Sequence, residues 1–208
     1  MYNFTIPMAL MDFVPVIFFG ITAVILLDDL HRQMSKLTYT LLAAGSVNVF
    51  LAGFCKALWK LLYAANICDF AALEEMFLPV NSIGLLLVGI SLVGMVTWGR
   101  KTVTLAAPVV FSGSLPFILM MVLGLGGMCA GLGVIAAQLK RKSAIILFVL
   151  SFVCAMAMGY MSGQDSTQAW VNWAEQSINT VSQLCLMLGV IILHTAGLKD
   201  RPRKEAIT

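Results

Sequence analysis

One carboxylate, Glu175, and three amides, Gln176, Asn179 and Gln183, recur at helical intervals in the segment WAEQSINTVSQ, which opens an otherwise apolar run. At 100° per residue, Asn172, Glu175, Gln176, Asn179, Ser182 and Gln183 share an arc of about 120°. Each polar group left unsatisfied in hydrocarbon costs several kcal/mol, so this stripe has to face protein or water. Glu175 offers a site for a cation or proton, and Asn179 and Gln183 offer carbonyl oxygens or N–H donors. Taken singly, each of these residues is equally suited to bonding a neighbouring helix, at on the order of 1 kcal/mol. Taken together, with an ionisable group among them, they point to a cavity.

A counterpart occurs earlier in the chain, in LEEMFLPVNSIG, where Asn81 and Ser82 follow Pro79. Proline lacks the N–H that a helix interior needs. If Glu74 and Glu75 already form a helix, Pro79 breaks it beside Asn81 and Ser82. If Pro79 instead opens the helix, nothing is broken. Asn48 adds a further amide, and Lys56 and Lys60 stand one turn apart. Lys60 reads as an interfacial anchor, whereas Lys56, one turn deeper, could pair with Glu74 or Glu75.

Neither histidine forms part of a metal-binding pattern. His31 and His194 end different apolar runs that alternating topology would send to opposite faces, so a two-histidine site is not expected. The five cysteines show no CxxC spacing. No hydrolase triad, zinc-protease or nucleotide-binding signature is present, and no cofactor or nucleic-acid partner is implied.

The elements that must position these groups follow from composition. Of 208 residues, 60% are hydrophobic and 11% charged, with a mean hydropathy of +0.94. Apolar runs close to the roughly 20 residues that cross a bilayer recur along the chain. They lie at about Asp12–Leu30, Leu37–Leu62, Pro79–Trp98, Pro116–Leu139, Ser143–Met161 and Trp173–Leu198. They are too long, and apolar on too many consecutive positions, for barrel strands. The expectation is an all-α, polytopic membrane bundle of six helices, in a plasma membrane of bacterial type. Alternating spans put Arg32, Lys36, Arg100 and Lys101 on one face and Lys56, Lys60, Lys140, Arg141, Lys142, Lys199, Arg201, Arg203 and Lys204 on the other, which favours cytoplasmic termini.

The halves share landmarks. Pro15 precedes Asn81 by 66 positions and Pro116 precedes Asn179 by 63, which suggests units over about 12–101 and 115–199. With six spans the second unit would be inverted. That depends on KTVTLAAPVVFSGS, which is short for a spanning helix. If this segment crosses, the count is seven and the units run parallel, an organisation that resembles small sugar transporters built from two triple-helix units and a linker helix.

These residues lead to the expectation of a small transporter or channel with a polar route for a cation, proton or small solute, formed by the third and sixth spans. Two alternatives come from other classes: a lipid-modifying membrane enzyme using Glu175 as general base, and an accessory or substrate-binding subunit of a larger transporter. The Gly-rich fourth span, with Gly127-x-x-x-Gly131, permits close helix packing and offers a surface for homo-oligomer formation.

Overall fold

The computed structural model describes residues 5–97, 114–161 and 169–201. These form a short helix α1 (Ile6–Met11), then α2 (Phe13–Leu30), α3 (Lys36–Ala64), a single turn α4 (Ala72–Glu75), α5 (Phe77–Thr97), α6 (Ser114–Gln138), α7 (Lys142–Met161) and α8 (Ala169–Thr195). A 3-10 turn, Leu198–Asp200, follows. Among the described residues, six helices, counting α1–α2 and α4–α5 as one each, are long and apolar enough to span a membrane. The chain is an all-α integral membrane bundle.

Local chemistry sets the helix ends. Ser35 caps α3 by accepting from the Thr38 N–H at 3.2 Å. At the end of α6, Lys140 adopts a left-handed conformation with φ 55°, the Lys140 N–H donates to Ala137, and the Arg141 N–H donates to Ala136 at 2.8 Å. This closes the helix and reverses the chain into α7. Pro79 falls in the first turn of α5, where its missing N–H costs nothing. The separate turn carrying Glu74 and Glu75 ends one residue earlier, at Met76.

Each long helix packs on its neighbours in a closed ring, in the order α2, α3, α5, α6, α7, α8 and back to α2. Residue contacts fix the directions. Ser91 of α5 donates to the Thr38 carbonyl of α3 at 2.7 Å, and Gly45 meets Gly84, so these helices are antiparallel. Gly124 of α6 lies against Leu85 and Gly89 of α5, and Gly131 against Leu92, so α5 and α6 are parallel. Asp29 near the end of α2 pairs with His194 near the end of α8, so these two also run together. Ser151 against Ser182, and Phe148 against Gly189, make α7 and α8 antiparallel.

These directions correct two expectations. The helices that open the halves, α2 and α6, both run from the end of the bundle bearing Asp12 toward the end bearing Asp29, so the halves are not inverted. The described chain also begins at the Asp12 end and finishes, at Arg201, at the Asp29 end, instead of bringing both ends to one face. Strict alternation fails between Thr97 and Ser114, which lie at opposite ends of the bundle. The segment expected to decide the matter, residues 101–114, lies outside the described residues up to residue 113, as do Arg100, Arg203 and Lys204.

The Gly-rich face of α6 is used within the chain. A methyl on Gly89 would stand 2.4 Å from the Gly124 carbonyl oxygen, and Gly127 and Gly131 also face α5. Small residues let the two backbones touch, as is typical of helix contacts in lipid. The surface expected to hold a second copy therefore joins the halves of one chain.

Candidate functional site

The ring encloses a cavity of about 400 Å³ in the half of the bundle toward the Asp12 end, and all six long helices line it. Pockets of this size suit small organic molecules. The Asp29 half is filled instead. Leu30, Leu42, Leu92, Leu132, Phe148 and Leu193, drawn from all six helices, have no more than 1% exposure. The cavity is thus closed at its inner end by close-packed apolar side chains.

Six of the residues singled out by sequence meet on the cavity wall: Glu175, Gln176, Asn179 and Gln183 from α8, Asn81 from α5 and Lys56 from α3. The helical stripe explains the first four. Asn81 directs its amide N–H toward the Met121 sulfur at 3.7 Å. Buried Gln183 Oε1 has no hydrogen-bond partner among the described residues.

Three others do not reach the cavity. Ser182, at the edge of the stripe, turns to α7 and donates to the Ser151 carbonyl at 2.8 Å. Ser82 bonds back to the Leu78 carbonyl one turn earlier at 2.6 Å. Asn48 packs by its Cβ near Gly84 in the seam between α3 and α5.

Two charged residues on the wall were not expected to form part of it. Asp12 and Lys60 make an ion pair at 2.8 Å, with side-chain exposures of only 9% and 7%. Lys60 was expected to reach the interface as an anchor; the pairing with Asp12 holds it inside. Gln176 also lies within hydrogen-bonding reach of Asp12. The signal in the sequence was the lone carboxylate in IPMALMDFVPV, apolar on both sides. The helical span begins at Ile6, not at Asp12, which carries the carboxylate inward.

Lys56 has its ammonium 4.2 Å from the centroid of the Phe77 ring, a cation–π contact. No carboxylate among the described residues lies within ion-pair distance of it, although Asp12, Glu175 and Glu74 are its acidic neighbours. Among the described residues, the lining therefore holds the Asp12–Lys60 pair and two charged groups with no ion-pair partner, Lys56 and Glu175. Phe19, Phe50, Phe77, Met121, Met128 and Met156 supply apolar wall.

At the opposite end, α2 is tied to α8 and the turn after it. The Asp29 carboxylate, fully buried, contacts His194 Nδ1 at 2.8 Å. Asp28 accepts from Lys199 at 2.9 Å, which holds the lysine above its usual pKa range. Gln33 donates to the Leu198 carbonyl. The premise that separated the two histidines thus does not hold: His31 sits at this same end, stacked edge-on against Tyr39. Among the described residues, no three His, Cys, Asp or Glu side chains converge as a metal site.

No protein-family model, curated protein or solved structure matches the chain.

Proposed function

We propose that this protein is a small carrier, moving a small organic solute through the centre of the six-helix ring. The observation that carries the reading is the cavity: polar groups from both halves converge on it, and it ends against a packed apolar layer. A channel would need a continuous route, whereas a closed inner end suits a carrier whose halves rock about a central site. The route belongs to all six helices instead of the third and sixth alone. A bare metal cation is poorly served, since hard cations require several oxygen ligands and two lysines share this wall. The wall offers no hydroxyl, thiol or imidazole among the described residues, so an enzyme acting on lipid would have only its lysines and carboxylates to work with.

The same reading sets orientation. Arg32, Lys36, Lys140, Arg141, Lys142, Lys199 and Arg201 gather at the Asp29 end, against Lys56 and Lys60 at the other. The Asp29 end is therefore cytoplasmic by the positive-inside bias, the cavity faces outward, and the two three-helix units run parallel. Reporters fused to the two termini should then register on opposite sides of a bacterial-type plasma membrane.

Protein reconstituted alone in liposomes should release or exchange a trapped solute from a mixed pool without producing modified lipid. Glu175→Gln should lower that flux by about tenfold or more, the size expected for losing a charged hydrogen bond, while the variant stays folded. Unchanged flux in Glu175→Gln would remove the residue's assigned role. A lipid product would support the enzyme reading, and neither outcome would support an accessory subunit.

A further inference from the structure

We infer that the solute is a zwitterion with an apolar body, carrying a carboxylate for Lys56 and an ammonium for Glu175, the chemistry of a large neutral amino acid. This rests on the carrier reading and specifies its substrate class. The argument is one of charge balance within a largely apolar cavity. Asp12 and Lys60 neutralise each other at 2.8 Å, leaving Lys56 and Glu175 as the wall's charges without an ion-pair partner among the described residues. A ligand with one charge of either sign would satisfy one of these and repel the other. A ligand with both satisfies both, so that each charge taken out of water, on the wall and on the ligand, gains an opposite partner.

The remaining wall fits the rest of such a molecule. Met121, Met128 and Met156 are flexible and polarizable, so they adapt to side chains of different shape. Phe77, which lines the cavity with Lys56, lies beneath its ammonium at 4.2 Å.

The test is equilibrium binding to purified full-length protein in detergent, by calorimetry, which is independent of transport. The probes are leucine, methionine and phenylalanine, together with phenethylamine, which lacks the carboxylate, and 3-phenylpropionate, which lacks the ammonium. The amino acids should bind at least about tenfold more tightly than either truncated probe, since each lost charged contact is worth about that factor. Lys56→Gln should remove the advantage of phenylalanine over phenethylamine, and Glu175→Gln its advantage over 3-phenylpropionate. Equal binding of a truncated probe, or no binding of any amino acid, would overturn the inference. Reconstituted flux of some other solute would then leave the carrier reading standing, and absence of all flux would fail both. Should either variant fold poorly, binding of the probe set to the unaltered protein decides by itself.

Discussion

Replacing Gly124 with alanine is expected to cost about 3 kcal/mol, the upper end of ordinary overpacking, and so a large share of the stability of a typical domain. The added methyl would lie 2.4 Å from both the Leu85 carbonyl carbon and the Leu86 nitrogen, and 2.6 Å from the Leu85 oxygen. These are backbone atoms, so no side chain can swing aside to relieve the clash. Because α5 and α6 join the halves, the two would have to separate along this seam. Gly133→Ala is the control on the same helix, since a methyl there meets nothing within 4 Å. Thermal unfolding in detergent should show a lowered Tm for Gly124→Ala and an unchanged or slightly raised one for Gly133→Ala, which gains helix propensity. Equal Tm values for the two would contradict the packed seam.

The second large effect concerns the buried ion pair. Lys60→Met should destabilise the protein by about 3–5 kcal/mol, because it leaves the Asp12 carboxylate uncompensated inside the bundle. Asp12→Leu should also be harmful, because it takes from the buried Lys60 ammonium its carboxylate at 2.8 Å. The double variant, with both charges gone, should recover much of the loss, as apolar replacements of buried pairs often do. Additive losses, measured by unfolding across the full cycle, would mean that the two groups do not act on each other. Recovery of folding in the double variant also separates scaffold from site: Lys56 and Glu175 remain in place, so ligand binding should survive.

The stripe on α8 was legible because 3.6-residue periodicity is a property of the sequence alone. Glu175, Gln176, Asn179 and Gln183 had to share a face wherever that face pointed. Hydroxyls were less readable. Ser82 satisfies itself on the carbonyl one turn back, and Ser182 on α7, so their polarity did not oblige them to face a cavity. Asp12 and Lys60 were missed for a different reason. Hydropathy locates the ends of spans poorly, and a charge near an apparent end is assigned to the interface by default; only the partner on another helix shows that it turns inward.

The six long helices followed from composition, but their directions did not. Whether α6 runs with α5 or against it is settled by the glycine contacts between them, which no local pattern encodes. Direction mattered most, since it brought Asp29 to His194, placed Arg32, Lys36, Lys140, Arg141, Lys142, Lys199 and Arg201 at one end, and set six helices around the cavity.

The central claim is that this cavity communicates with both sides of the membrane in turn. Its most direct test uses protein in which Cys55, Cys68, Cys129, Cys154 and Cys185 are replaced and one cysteine is introduced by Asn179→Cys. A membrane-impermeant thiol reagent is then applied to right-side-out and inside-out vesicles. Modification is expected from both sides, faster from the face bearing the Asp12 end. Modification from that face alone, however long the exposure from the other, would contradict a carrier and leave a one-sided binding protein in its place.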